Sequence, residues 1–425
     1  MSSDIIETAQ RILRENDRGT YTVPTKGLYP FQWNWDSCLS ALGFGHFDEE
    51  RAWTEIDTLF AHQWNDGMVP HIIFHVEDDG YFPGPAVWRT KRPVPTSGIT
   101  QPPVAGFAVR RLLDRARDKA LAEKRARALL PGIAAWHDWF FRCRDPEGTG
   151  LVAIIHPWES GRDNSVDWDM ALDRVKPEGI TPFTRRDTTH ANPDHRPTQA
   201  QYERYIKLVE TFRGLGWDNE KLHDASPFKV VDPGFNAILI RSCSDLADLA
   251  DALDESATAE RSRALAERGI VAMESLWSER HGQYLCLDRM TQTLIDSPSV
   301  GGLLAAFAPI PASRAKAVAD RIMVLAERAK FMVPSHDPGT PVFDGKRYWR
   351  GPVWLIVNYM IADGLTRTGK ADVANRIVGD SLKLIAESGF AEYYDPITAE
   401  PCGGGNFTWT AAMVIEFLTG AKEPA

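Results

Sequence analysis

Apolar residues recur at i, i+3, i+4 and i+7 from one end of this 425-residue chain to the other, and the segments so marked fall in pairs split by short polar breaks. Helices are predicted over roughly 4–16, 35–44, 48–63, 104–116, 118–142, 166–173, 200–215, 233–253, 256–278, 298–308, 312–329, 353–369, 371–388 and 408–419. In LADALDESATAERSRAL, residues 254–256 interrupt two such patterns, and Ser256 is expected to cap the second helix. Strand-like alternation is confined to short pieces at 151–156 and 283–287. Helices in hairpin pairs leave two architectures, an open α-solenoid or a closed toroid.

The connections between hairpins favour the toroid. Five of them, YPFQWNWD (29–36), QWNDGMVPHIIF (63–74), HPWESGRDNSVDW (156–168), YWRGPVW (348–354) and EYYDPITAEPCGGGNFTW (392–409), combine aromatic rings with carboxylates, amides or glycine. Such loops, drawn from distant parts of one chain, are expected to meet in one pocket, because binding groups concentrate in loops carried by a rigid scaffold. Flat aromatic faces beside carboxylates, amides and indole N–H donors are what a sugar requires, with its apolar C–H faces and rim of hydroxyls. Any single tryptophan usually packs in a core. Here Asn34 and Asp36 stand among Trp33 and Trp35, and Glu159 follows Trp158, which suits a plain core badly. Glycoside cleavage needs an acid for the leaving oxygen and a second carboxylate that activates water or attacks carbon. The loops offer Asp36, Asp66, Glu159, Asp163, Asp167, Asp169, Glu392 and Asp395, and composition does not choose a pair.

Other chemistries lack their signatures. There is no G-x-S-x-G, H-E-x-x-H or G-x-x-x-x-G-K-[ST] motif. His71 and His75 stand at i, i+4, but PHIIFH reads as a buried loop or strand, so no metal is expected there. The run Gly403, Gly404, Gly405 lacks a preceding strand and a basic residue, and reads as a tight loop before the last helix rather than a phosphate cradle. A formal charge of −10 argues against nucleic acid or an anionic membrane as partner. Five scattered cysteines without CxxC spacing indicate neither a disulfide framework nor a zinc site. The N-terminus does not resemble a secretory signal and no apolar run reaches bilayer length, so a cytoplasmic location is expected.

HPWESGRDNSVDWD resembles the acid-bearing segment of glycoside hydrolase family 63, and FAEYYDPITAEPCGGGNFTWTAAM resembles its base-bearing segment. YPFQWNWDS and YWRGPVW look like two further signatures of that family, so the resemblance runs from about Tyr29 to Met413. It implies an all-α fold, an (α/α)6 barrel, and inverting hydrolysis of α-linked sugars without a metal or other cofactor. By the same resemblance Asp163 is the general acid and Glu392 the general base, about 6.5–9.5 Å apart, with Glu159 and Asp169 in support. Tyr29, Trp33, Trp35, Asp36, Gln101, Trp158, Tyr348, Trp349 and Gly351 would line the sugar subsite, and Tyr81, Arg196 and Tyr202 would hold the leaving group. The chain is similar to the compact bacterial branch that hydrolyses mannosylglycerate and glucosylglycerate.

Charge supports a leaving group of that kind. The stretch 173–200, in an otherwise single domain over 1–425, is polar, Pro-containing and rich in Arg and His, as expected of a lid. Arginine there could grip a carboxylate with two parallel hydrogen bonds. Desolvation by Trp158 and the like charge of Glu159 are expected to raise the pKa of Asp163. The expected partner is a small glycoside carrying a carboxylate, bound by a monomer or homo-oligomer. Two alternatives stand beside it: an α-glucosidase for neutral α-linked saccharides, and a non-catalytic sugar-binding module.

Overall fold

In the computed structural model, which describes residues 2–190 and 192–420, the helical periods condense into two concentric rings. The helices α1 (Ser2–Asn16), α2 (Asn34–Gly45), α3 (Glu49–Phe60), α4 (Ala105–Arg115), α5 (Lys119–Cys143), α6 (Pro233–Ala252), α7 (Ser256–Met273), α8 (Val300–Leu304), α9 (Ala312–Leu325), α10 (Leu355–Arg367), α11 (Ala371–Ser388) and α12 (Thr408–Thr419) alternate outer, inner, outer around the barrel. Even-numbered helices such as LIVNYMIADGLTR and TWTAAMVIEFLT are apolar around most of their circumference and are buried almost throughout. Odd-numbered helices such as ASRAKAVADRIMVL carry one apolar stripe and bury only that.

The inner ring closes on itself. Helix α2 packs on α4, α4 on α6, α6 on α8, α8 and its 3-10 continuation Ala305–Phe307 on α10, α10 on α12, and α12 back on α2. Helix α1 lies against α12, so the two ends of the chain seal one seam. This is the (α/α)6 barrel, not the solenoid. The ring is tight enough to demand glycine at its crossings: a Cβ on Gly106 of α4 would meet the Ser242 carbonyl of α6 at 2.4 Å, and one on Gly364 of α10 would meet the Ala306 carbonyl at 1.9 Å. Asp363 of α10 binds both Arg111 of α4 and Arg241 of α6, tying three inner helices across the core.

The aromatic loops 29–36, 348–354 and 392–409 run directly into the starts of three inner helices, α2, α10 and α12, while 63–74 and 156–168 lie farther ahead of α4 and α6 in the chain. The positive ends of those three helix dipoles therefore face the region where the carboxylate-bearing loops gather. Short antiparallel pairs fix these loops: Gln32–Trp33 against Ile72–Ile73, Val230–Val231 against Leu287–Asp288, and Tyr393–Tyr394 against Pro401–Cys402.

Three local expectations need correction. Ser256 is not a cap: Glu255 holds that position without a side-chain bond, because Asp254 turns the chain with φ +59° and starts the helix at Ser256. The stretch 166–173 is a 3-10 turn (Val166–Trp168) and a single helical turn (Asp169–Leu172), because Asp167 is spent on Arg162 and Ser299 rather than on a helix face. Helix α7 stops at Met273, and the hairpin Trp277–Ser278 with Gln283–Tyr284 takes over. Among the described residues no helix is long and apolar enough to cross a membrane, and all five cysteines are unpaired and buried.

Candidate active site

The gathered loops enclose a cleft of about 870 Å³. Of the fourteen residues that the resemblance assigns to catalysis or to the sugar and leaving-group subsites, twelve line it: Tyr29, Trp33, Trp35, Asp36, Tyr81, Gln101, Trp158, Asp163, Arg196, Tyr202, Tyr348 and Glu392. The other two stand behind the wall. Trp349 stacks on Trp354 at 3.9 Å between ring centres and leans on Trp35. Gly351 lies under the same loop, where a Cβ would come within 2.3 Å of the Asp344 carbonyl.

The aromatic wall is built from the loop before α2. Strand pairing of Gln32–Trp33 with Ile72–Ile73 and the Asn34 N–H donated to the His71 carbonyl (3.1 Å) bring 29–36 and 63–74 together. The Trp35 N–H donates to Gln101 Oε1 (3.3 Å). Trp33 meets Tyr29 and Tyr81 edge to face, and Trp35 meets Trp409 likewise. Burial holds the Asp36 carboxyl well above the usual range, with Glu392 and Glu55 adding like charge.

Asp163 is held through its neighbours. Tyr205 donates its hydroxyl to the Asp163 carbonyl (2.8 Å), and Arg162 forks between Asp167 (3.0 Å) and Asp232 (2.9 Å), the residue that caps α6. The Trp349 N–H donates to Asn164 Oδ1 (2.9 Å), which pins the acid loop to the loop before α10. Burial pushes the Asp163 carboxyl up to about 7; Arg196 opposes this, and Glu392 and Asp187 add to it. Glu159 is not a source of like charge as expected. It lies against Arg144 (2.7 Å) and the Ile155 N–H (2.9 Å), which neutralise it away from the cleft. Asp169 forms a two-pronged pair with Arg350 (3.0 and 2.7 Å) at the outer side of the same loop.

Glu392 is surrounded by donors. Tyr29 (3.0 Å) and Tyr348 (3.4 Å) donate to Oε1, and the Gly404 N–H donates to Oε2 (3.0 Å). Burial raises its pKa, while Arg196 and these three donors favour the carboxylate. The triple glycine is thus more than a tight turn. Gly403 has φ +73°, and a Cβ on it would fall 2.2 Å from Glu392 Oε2, so only glycine lets the loop fold over the carboxylate.

The basic stretch after Asp173 reaches this same point. Arg196 is buried; its Nη1 donates to the Tyr29 hydroxyl (3.1 Å), its Nε to Asp187 (3.3 Å), and its guanidinium lies 4.1 Å from the Tyr348 ring centre. Arg185 grips Asp187 with two bonds (2.6 and 3.0 Å) over the Tyr202 ring. Phe183 stacks on Phe82 at 5.1 Å. An unbroken chain therefore links Asp187, Arg196, Tyr29 and Glu392.

Sequence reasoning missed His71, Asp187, Phe407 and Trp409, all of which line the cleft. His71 stacks near Trp158, and burial holds it well below its ordinary pKa, so it is neutral. Trp409 stood inside a quoted motif, but nothing in the pattern distinguished a ring on the first turn of α12 from core packing. No group of three or more His, Cys, Asp or Glu side chains suited to a metal occurs among the described residues.

The model of the mannosylglycerate hydrolase MGH1-like glycoside hydrolase domain matches residues 29–410. The chain belongs to this family of glycoside hydrolases. It is 47% identical to mannosylglycerate hydrolase MGH1 of Selaginella moellendorffii, over 98% of this chain and 86% of that one. It is 36% identical to the glucosylglycerate hydrolase of Mycolicibacterium hassiacum, over 96% of each. The crystal structure of the GH63 mannosylglycerate hydrolase from Thermus thermophilus in complex with Tris and D-glycerate superposes with a TM-score of 0.94 at 46% identity, covering 97% of this chain and 99% of that one. The likeness to family 63 and the barrel expected from it are both shown.

Proposed function

We propose that the protein hydrolyses an α-linked hexosylglycerate to free hexose and glycerate with inversion, Asp163 acting as general acid and Glu392 as general base. The contrast between these two cleft carboxylates carries the reading. Burial raises both carboxyls, but Asp163 is pushed up to about 7 and holds a proton near neutral pH, whereas at Glu392 a guanidinium, an amide and two hydroxyls work against the rise and favour the anion. Two carboxylates whose surroundings push them into different protonation states are the arrangement an acid–base pair requires. Asp163 then protonates the departing glycerate oxygen, and Glu392 takes a proton from the water attacking the opposite face of the sugar. Arg196 supplies the cation for the glycerate carboxylate, Tyr81 and Tyr202 flank it, and residues 173–200 serve as the lid of a single domain over 1–425. The relatives named for mannosylglycerate and glucosylglycerate support this substrate class.

NMR of the products from mannosylglycerate, glucosylglycerate and neutral α-linked disaccharides tests the reading. Release of the β-hexose first, from a hexosylglycerate in preference to a neutral sugar, is the expected result. Release of the α-anomer would rule out inversion. In the same assay Arg196→Gln should raise KM for hexosylglycerate by about 10- to 100-fold, the cost of losing a charged hydrogen-bond partner. A neutral α-glucoside preferred by the wild type, with little change in Arg196→Gln, would favour the neutral α-glucosidase instead.

Gly403→Ala tests how the base is held. Its Cβ must displace either the glycine loop or the Glu392 carboxylate, and a misplacement of about 1 Å costs on the order of 100-fold in kcat. Steady-state kinetics should show that loss in kcat with KM little altered. Unchanged kcat would show that the loop does not position Glu392.

A further inference from the structure

A second cavity, with about 1400 Å³ of space open to solvent, is lined by residues from 183–199 and by Arg347. Arg196 belongs to the walls of both cavities, so the two are separated by little more than that residue and its neighbours. Arg185 and Arg347 also line the outer cavity, together with Thr198 and Gln199 at the start of the sixteen-residue helix Gln199–Gly214. Among the described residues Asp194 is the one carboxylate in its wall.

Arg347 is the unusual member of this group. Most arginines of this acidic chain are matched to a carboxylate, as Arg185 and Arg196 are to Asp187. Among the described residues no carboxylate pairs with Arg347, and its Nε is closed off from solvent without an acceptor. It directly precedes Tyr348, which touches Glu392 and lies against Arg196. A guanidinium left with donors to spare, beside two more arginines, is chemistry for a small anion, while the helix start next to it is already closed by the capping box of Thr198 and Gln201.

We propose that the outer cavity is a staging site for small hydroxycarboxylates, with Arg347 as the capturing cation, through which the carboxylate-bearing leaving group passes to and from Arg196. The proposal rests on the hexosylglycerate reading of the cleft. Arg347 acts on arrival and departure of the anion and takes no part in bond cleavage. Its contribution is therefore electrostatic, screened by salt, and absent from single-turnover chemistry.

The test uses the full chain and Arg347→Gln, Arg347→Lys and wild-type protein, with hexosylglycerate as substrate and D-glycerate as inhibitor. Arg347→Gln is expected to lower kcat/KM at low ionic strength by about three- to tenfold, flatten its dependence on salt, and weaken D-glycerate inhibition by a similar factor. Its single-turnover rate at saturating substrate should match the wild type, and Arg347→Lys should keep the salt dependence. A wild-type salt slope in Arg347→Gln would overturn the proposal. So would equal losses in Arg347→Gln and Arg347→Lys, which would make Arg347 a support for the Tyr348 loop. Wild-type protein inactive on every hexosylglycerate would instead overturn the reading of the cleft; calorimetry of D-glycerate binding to wild type and Arg347→Gln then decides the outer site by itself.

Discussion

Asp163→Asn should lose at least about 1000-fold in kcat on a hexosylglycerate, at the upper end of what general acid catalysis contributes, while still hydrolysing the matching α-hexosyl fluoride. Fluoride departs without protonation, whereas a glycerate alkoxide does not. A variant that fails with both substrates would show that Asp163 does something other than protonate the leaving oxygen. The wild type should lose activity on hexosylglycerate as pH rises through about 7, where Asp163 gives up its proton. With the fluoride that alkaline limb should vanish. Stability provides the control. A carboxyl whose pKa rises on folding holds its proton more tightly in the native state, so stability declines as pH climbs from about 4, the ordinary aspartate value, through about 7. The amide has no such ionisation. At pH 8 Asp163→Asn should therefore melt no lower than the wild type, and a sharply lower Tm would mean the acid loop itself had come apart.

The helical hairpins were legible in the sequence because every inner and outer helix carries its own period, the (α/α)6 barrel only through the family resemblance, and the cleft because Trp33, Trp35 and Trp158 stand beside polar residues that a core would not tolerate. Which carboxylate does what was not legible from the pattern. Glu159 and Asp163 are four residues apart in one loop, yet Arg144, fifteen residues before Glu159 and folded back on it, silences the first and leaves the second facing the cleft. Only tertiary contacts make that distinction. Asp187 was hidden for the same reason: in a stretch rich in arginine it looks like a stray charge, and the structure shows it paired with both Arg185 and Arg196. The glycine run was read as a turn because glycine signals backbone freedom in sequence, whereas here the missing Cβ makes room for a carboxylate oxygen brought from eleven residues earlier.

The pairing of Asp187 with Arg185 and Arg196 bears on the proposed function of 173–200 as a lid. With Asp187 in place these arginines are already neutralised in part, so on that proposal a glycerate carboxylate competes with an internal anion instead of entering an unbalanced field. Arg196 also donates to Tyr29, which donates to Glu392. On the proposed assignments, binding of the leaving group and readiness of the base share one hydrogen-bonded chain, and a substrate without a carboxylate would leave that chain in its resting arrangement.

Glu392→Gln removes the end of the chain and should reduce turnover of hexosylglycerate by about 1000-fold or more, with the fold preserved because glutamine keeps the size of the side chain. Its amide can still accept from Tyr29 or Tyr348, but it has no basic site for the proton of the attacking water. Sodium azide should restore part of the rate, since the azide ion attacks carbon without first losing a proton, and Arg196 beside the vacated charge favours an anion there. The product distinguishes the mechanisms. Attack from the water side of an α-hexoside gives a β-hexosyl azide, formed while Asp163 still protonates the departing glycerate. An α-azide would mean that a covalent intermediate came first and that the base assignment is wrong. Asp163→Asn should show no azide rescue on hexosylglycerate, because a better nucleophile does nothing for a leaving group that lacks its proton. The two variants therefore fail in opposite halves of one displacement, each restored only by the reagent that supplies its missing half.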